Sequence, residues 1–210
     1  MWCGQTWWWA ATASRRSWEL AASARCSSRG AMAARALSSS STWSAWGVGW
    51  RELFIMLRHE FPNVVRLLSH FKWPEEKPEY LVLVMEYVPG VTLYQWARDN
   101  NPCARELVEK LLPLARALTA VHAEDVFHRD LKGDNVLVRG VDGTPVLVDF
   151  GAGTMPGVHR VTRGSLAPAN LRYRSPEAVA FFLREVRKPG ERYDYSVKDE
   201  LYALGVILST

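Results

Sequence analysis

The residues best suited to chemistry lie in two short segments in the second half of a 210-residue chain. The first segment is His128-Arg129-Asp130-Leu131-Lys132-Gly133-Asp134-Asn135, and the second is Asp149-Phe150-Gly151. Asp130 could receive the proton of an incoming hydroxyl, and Lys132 could neutralise a phosphate. Asn135 and Asp149 carry the hard oxygens that Mg²⁺ prefers. The combination predicts phosphoryl transfer, because that transition state needs positioned charges more than covalent chemistry.

Two valine-rich runs between these segments predict the strands that position them. Residues 136–139 and 146–150 flank Asp142-Gly143, which is a turn sequence. A hairpin of this kind would bring Asn135 and Asp149 close together.

The two segments, in this order, resemble the protein kinase family, and a lysine two residues after Asp130 is similar to its serine/threonine branch. The resemblance implies an α+β fold with two lobes, ATP and Mg²⁺ as cofactors, and a protein Ser/Thr hydroxyl as acceptor. It implies that Asp130 is the catalytic base and Lys132 the phosphate-stabilising cation. It also implies that Asn135 and Asp149 are the magnesium ligands, and that Lys132, Asn135 and Asp149 contact ATP.

Small-molecule phosphotransferases are the alternative family, since they share the His-x-Asp-x-x-x-x-Asn spacing and a later metal-binding aspartate. Lys132 and the flanking segments favour the protein kinases.

Residues 81–88 (LVLVMEYV) form an apolar run that breaks at Pro89-Gly90 and resembles the kinase strand leading into the hinge between the lobes. On that resemblance Met85 is the gatekeeper. The carbonyl of Glu86 and the backbone groups of Val88 would then hold adenine in an apolar slot.

A long buried helix is predicted before the catalytic segment, because apolar residues recur there at helical spacing. These residues are Leu107, Leu111, Leu114, Leu118 and Val121. Pro113 lies among them and predicts a kink or a break.

Ser175-Pro176-Glu177 resembles the Ala-Pro-Glu sequence that closes a kinase activation segment, which here would begin at Asp149. Arg129 resembles the arginine that grips a phosphorylated activation segment, and the candidate phosphoryl acceptors are Thr154, Thr162 and Ser165.

Two further positions bear on the catalytic segment through the same resemblance. Asp199 and Gly205 match the helix that supports the catalytic loop, which implies that Asp199 accepts backbone N–H groups near His128 and Arg129. Asn170 stands where the family has a threonine that contacts the catalytic aspartate and lysine.

The first fifty residues have an unusual composition. They hold eight of the ten tryptophans, one glutamate and no Asp, Lys, Asn, His, Pro, Ile, Phe or Tyr. We therefore predict that residues 1–50 are disordered or are an out-of-frame reading or mispredicted start, with a transit peptide as the alternative. Residues 51–210 would be a partial kinase domain, with 51–88 from the small lobe and 89–210 from the large lobe.

The same region lacks two expected nucleotide contacts. Glu52 matches the ion-pairing glutamate of the kinase regulatory helix, yet no lysine precedes Lys72 and no glycine-rich loop is recognisable. Arg35 falls near the expected lysine position, but Ala33-Ala34-Arg35-Ala36 is helix-prone and arginine replaces such a lysine poorly. We expect impaired activity.

Overall composition sets further bounds. The net charge of +4 is spread along the chain, so no nucleic-acid role is predicted. Cys3, Cys26 and Cys103 show no motif spacing and fit a reducing, cytoplasmic compartment. The sequence contains no apolar run of eighteen residues, so no membrane span is predicted within it.

The sequence is thus identified as a member of the bacterial-type serine/threonine protein kinases, truncated at both ends. Two alternatives remain open at this point. One is a catalytically dead, kinase-like binding module, and the other is a gene remnant that yields no stable protein.

Overall fold

The computed structural model describes residues 32–38, 43–58, 60–73, 76, 80–154, 171–185 and 193–209. Within them the strands are β1 (Met32–Ser38), β2 (Leu67–Trp73), β3 (Tyr80–Glu86), β4 (Gly90–Thr92), β5 (Val136–Arg139) and β6 (Pro145–Leu147). The helices are α1 (Trp43–Arg58), α2 (Leu93–Asn100), α3 (Ala104–Ala123), α4 (Pro176–Glu185) and α5 (Val197–Leu208). Short 3₁₀ turns span Gly133–Asn135 and Leu171–Tyr173. The mixed architecture confirms the predicted α+β class.

The first sheet is antiparallel, with strand order β1-β3-β2 and α1 packed against it. Leu53 of α1 is buried together with Leu81 and Leu83 of β3. Apolar side chains from helix and sheet therefore share one small core, which holds α1 at the back of the sheet.

Part of the segment predicted as unlike a kinase is regular structure. Met32–Ser38 is a strand rather than a helix, and Arg35 lies opposite Leu83 of β3. The helix prediction was wrong there. The edge of β3 that does not pair with β2 supplies backbone hydrogen-bond partners, and such tertiary pairing overrides local propensity. The boundary predicted at residue 51 falls inside α1. Residues 1–31 and 39–42 lie outside the described residues.

The second sheet is antiparallel, with strand order β4-β5-β6. The predicted β5–β6 hairpin is confirmed, since Gly143 has φ 68° and its N–H donates to the Arg139 carbonyl at 2.8 Å. The second strand ends at Leu147 rather than at residue 150. Asp149 has φ 69°, which an extended strand cannot accommodate.

Gly90 marks where β4 meets β5 at close range. A Cβ at this position would lie 2.0 Å from the carbonyl oxygen of Val138. Only glycine therefore permits this backbone approach, which joins the segment after β3 to the hairpin that carries the candidate site.

The predicted long helix is confirmed as α3, and it lies at the centre of the largest core cluster. Its buried face consists of Leu111, Leu114, Ala117, Leu118 and Val121. The predicted break is absent, because α3 continues through Pro113. Packing of buried leucines on both sides of the proline stabilises the helix enough to offset the hydrogen bond that proline cannot make.

Among the helices of the described residues, none is both long enough and apolar enough to cross a bilayer.

Candidate active site

Three of the four residues predicted to do chemistry meet at the side chain of Asp130. The ammonium of Lys132 donates to Asp130 Oδ2 at 2.8 Å. The amide nitrogen of Asn135 donates to the Asp130 carbonyl at 2.8 Å and to Oδ2 at 3.1 Å. The 3₁₀ turn Gly133–Asn135 makes this possible, because it curls the chain back so that Asn135 faces the residue five positions earlier.

The environment of Lys132 keeps its ammonium charged. Burial acts to lower the pKa of Lys132, but the hydrogen bond to Asp130 and the charges of Asp130, Asp149 and Asp134 outweigh it. The net result is a raised pKa. A fixed positive charge therefore lies beside the Asp130 carboxylate at neutral pH.

The fourth predicted residue, Asp149, is brought to this group by the hairpin. The N–H of Val148 donates to the backbone carbonyl of Asn135 at 2.9 Å, so Asp149 follows directly after a residue bonded to Asn135. The N–H of Gly151 donates to Asp149 Oδ1 at 3.1 Å. The charge of Asp149 also acts on Lys132. The proximity expected from the turn sequence is present.

His128 is completely buried and contacts both the catalytic segment and the residue before Asp149. Its Nδ1 accepts the N–H of Asp130 at 3.3 Å, and its Nε2 lies 3.0 Å from the Val148 carbonyl. These two partners assign the proton to Nε2. The imidazole ring also packs on Phe150, with centroids 4.7 Å apart.

The segment predicted to hold adenine lies against the same hairpin. Val88 is buried in an apolar cluster with Met56, Val65 and Val146, and Met85 packs on this cluster. Leu137 and Val148 complete it as half-buried residues. An apolar wall thus runs from the end of β3 to the residue before Asp149.

The side chain of Glu86 has a separate role from its backbone. Its carboxylate accepts from Arg139 at 2.9 Å and pairs with Arg66 at 3.5 Å. Its N–H donates to the Arg66 carbonyl at 2.9 Å. Because Arg66 precedes β2 and Arg139 ends β5, Glu86 connects the two sheets.

The backbone of the catalytic segment is supported from α5, but by a different residue from the one predicted. The N–H of Arg129 donates to Glu200 Oε1 at 2.8 Å, and Glu200 Oε2 lies 2.7 Å from His122 Nε2. Glu200 is completely buried.

The assignment of this role to Asp199 was wrong. Asp199 instead accepts hydrogen bonds from Tyr193, Ser175 and the Ser196 N–H. A sequence signal was available, because Ser196-x-x-Asp199 has the spacing of a capping box at the start of a helix. That pattern predicts that Asp199 caps the N-terminus of α5, so that Glu200 is the residue available to bind the catalytic segment.

Comparison with known proteins agrees with this geometry. The protein kinase domain model matches residues 25–210. The chain belongs to the protein kinase family. The matched range begins before residue 51, where the kinase-like part was predicted to start. The match to the protein kinase model does not favour the alternative of a small-molecule phosphotransferase.

The chain is also similar in sequence to individual protein kinases. The chain is 31% identical to the probable serine/threonine-protein kinase PknB of Lactococcus lactis over 159 residues, which are 75% of this chain and 23% of that protein. It is 36% identical to the serine/threonine-protein kinase PkaA of Streptomyces coelicolor over 135 residues, 61% of this chain and 24% of that protein. The Aurora kinase of Schizosaccharomyces pombe is 33% identical over 75% of this chain and 39% of its own length. The chain thus spans well under half of each relative.

The donor set at the kinase site fits a magnesium ion. The amide nitrogen of Asn135 is used on Asp130, which directs the amide oxygen of Asn135 away from that residue. With the carboxylate of Asp149 it offers the oxygen ligands that Mg²⁺ takes, and in kinases the bound metal neutralises phosphate charge. Across the described ranges, no group of three or more His, Cys, Asp or Glu could hold a metal ion.

The kinase activation segment is described only at its two ends. Thr154 is buried, and its backbone bridges that of Phe127, which argues against the prediction of Thr154 as an accessible phosphoryl acceptor. Thr162, Ser165 and Asn170 lie outside the described residues. The guanidinium of Arg129 lies 5.0 Å from the ring centroid of Tyr195.

Proposed function

We propose that this chain transfers the γ-phosphoryl group of ATP to a Ser or Thr hydroxyl of a protein. The observation that carries the proposal is the Asp130 carboxylate, which lies within hydrogen-bond distance of both Lys132 and Asn135. A carboxylate held in this way is oriented for a hydroxyl before the substrate arrives, and preorganisation is the main source of catalysis in phosphoryl transfer.

In the proposed reaction, the acceptor oxygen forms a bond to the γ-phosphorus while the bond from that phosphorus to the ADP oxygen breaks. Asp130 orients the hydroxyl and takes its proton, and Lys132 stabilises the charge on the transferred group. Asn135 and Asp149 would hold Mg²⁺. Adenine would lie against the apolar cluster of Met85 and Val88, with the backbone of Glu86 and Val88 binding its polar edge.

We expect slow turnover. No lysine precedes Lys72 in the sequence, so we expect this chain to lack the usual lysine contact with the nucleotide phosphates. Loss of one preorganised contact of this type costs a factor of about 10²–10³ in rate. From about 1–100 s⁻¹ for an intact kinase, turnover should fall well below one per second. An assay with radiolabelled ATP and casein over hours would measure such a rate.

The test compares two aspartates of the same loop. Asp130→Asn should abolish transfer to casein, because it removes the proton acceptor. Asp134→Asn is the matched control, since Asp134 is exposed and makes none of the contacts at Asp130, and it should keep most of the activity. Equal activity of the two variants would exclude Asp130 as the base. A rate of 1 s⁻¹ or more that depends on Asp130 would show that the missing lysine matters less than expected.

A kinase-like binding module without turnover is a second candidate, favoured by the same lack of lysine. It predicts that the chain binds ATP with Mg²⁺ in calorimetry and transfers no phosphoryl group even after long incubation.

A further inference from the structure

Tyr94 connects the start of the large lobe to the end of the activation segment. It lies on α2, which begins directly after β4, the short strand that follows the hinge residues. Its hydroxyl lies 2.6 Å from the hydroxyl of Tyr173, a residue 79 positions later in the chain. Both side chains are half-buried and pack against the main core cluster. The contact is therefore a short hydrogen bond between distant segments in a partly desolvated place, where such a bond is stronger than at an open surface.

The ring of Tyr94 also lies directly on the catalytic loop. A Cβ at Gly133 would be 2.5 Å from Cε1 of Tyr94, so only glycine leaves room for the ring. Gly133 stands between Lys132 and Asn135. One side chain thus contacts the loop through its ring and the activation segment through its hydroxyl.

Tyr173 lies close to Asp130, the residue that would orient the acceptor hydroxyl in the proposed reaction. Tyr173 and Arg174 line a small cleft between the catalytic loop and α5, together with Asp130, Leu131 and Ala203. Arg174 is half-buried, so this wall of the cleft is partly withdrawn from water, and that burial lowers the pKa of Arg174. In the proposed reaction, the phosphates would be contacted by Lys132, Asn135 and Asp149. The wall of the cleft that contains Tyr173 would then border the hydroxyl-bearing substrate.

We propose that Tyr94 is a positioning residue for the phosphoryl acceptor. Through Tyr173, it holds the wall of the cleft at the distance from Asp130 that a substrate hydroxyl requires. This inference rests on the proposed function and adds to it a residue outside the catalytic segment. It predicts that Tyr94 affects binding of the acceptor protein and leaves binding of ATP alone.

The test is a double-mutant cycle with Tyr94→Phe and Tyr173→Phe in the 210-residue chain. Each change removes one hydroxyl and keeps the ring, so the fold is retained. Each should raise the KM for casein about two- to tenfold, the range expected for one hydrogen bond. The KM for ATP should not change. The double variant should be no worse than either single variant, because both act through one bond.

Tyr202→Phe is the matched control, since Tyr202 is an exposed tyrosine on α5 and its change should leave both KM values as they are. Unchanged casein KM in Tyr94→Phe, with an active wild-type chain, would overturn the inference and leave the proposed function standing. The same conclusion follows if both KM values rise together or if only the melting temperature falls, since these outcomes indicate a structural role. A wild-type chain that transfers no phosphoryl group would overturn the proposed function and, with it, this inference.

Discussion

Glu200 accepts the backbone N–H of Arg129 across 71 residues of sequence, at 2.8 Å and in a completely buried place. Arg129 has φ 65°, a left-handed conformation that non-glycine residues seldom adopt. The carboxylate therefore fixes a strained backbone directly beside Asp130. This relationship makes Glu200 important for the stability of the site although it has no part in the proposed chemistry.

Glu200→Ala should destabilise the chain by at least about 1–3 kcal/mol, because it leaves the buried Arg129 N–H without an acceptor. Glu200→Gln keeps one oxygen and should cost less. Glu109→Ala is the control, since Glu109 forms an exposed pair with Arg105 that should contribute less than about 1 kcal/mol. Urea unfolding measures all three. Equal losses for Glu200→Ala and Glu109→Ala would contradict the role given to Glu200.

Gly90→Ala should destabilise the junction of β4 and β5. The added Cβ would meet the Val138 carbonyl at 2.0 Å, so the strands must separate. Overpacking of this kind costs about 1–3 kcal/mol or more. Gly140→Ala is a suitable control in the same region, because its Cβ would lie 3.5 Å from the nearest atom, at ordinary contact distance. Thermal unfolding of the two variants should differ clearly, and equal melting temperatures would argue against the close approach.

Pro113→Ala should stabilise α3. Alanine restores the N–H that proline lacks in the middle of the helix, and an interior proline costs up to about 3 kcal/mol. Pro102→Ala is the comparison, since Pro102 precedes the helix and no helical hydrogen bond is regained there. The free energy of unfolding should rise for the first variant only. A fall for Pro113→Ala would mean that packing of the proline ring outweighs the missing bond.

From neutral pH upwards, the contact between Lys132 and Asp130 should weaken only in alkali. The pKa of Lys132 is raised above its ordinary value of 10.5, so its contribution to stability is complete below that value and is lost as the pH rises through the folded-state pKa. The stability difference between wild type and Lys132→Gln should be constant from about pH 6 to 9 and shrink above about pH 10.5. A difference that already shrinks near pH 8 would contradict the raised pKa.

What the sequence predicted well depends on short-range geometry. The turn at Asp142-Gly143 and the valine-rich strands around it predicted the hairpin, and with it the proximity of Asn135 and Asp149. These contacts follow from local backbone preferences, so they can be derived from one segment at a time.

What it predicted poorly depends on docking between distant elements. Whether Asp199 or Glu200 reaches Arg129 is decided by the rotation of α5 against the loop, and neighbouring residues on a helix differ in direction by about 100°. The strand at residues 32–38 was missed for a related reason. Its stability comes from the free edge of β3 rather than from its own alanine-rich sequence.

The carboxylate of Glu86 has a consequence for the behaviour of the chain in salt. It is a shared counter-ion for Arg66 and Arg139, on either side of the hinge, and the side chain of Arg66 is the more exposed of the two at 56% against 30%. Dissolved ions weaken the exposed pair first. Added salt should therefore loosen the contact between Arg66 and the end of β3 first, whereas the half-buried pair with Arg139, which joins the two sheets, should persist to higher ionic strength.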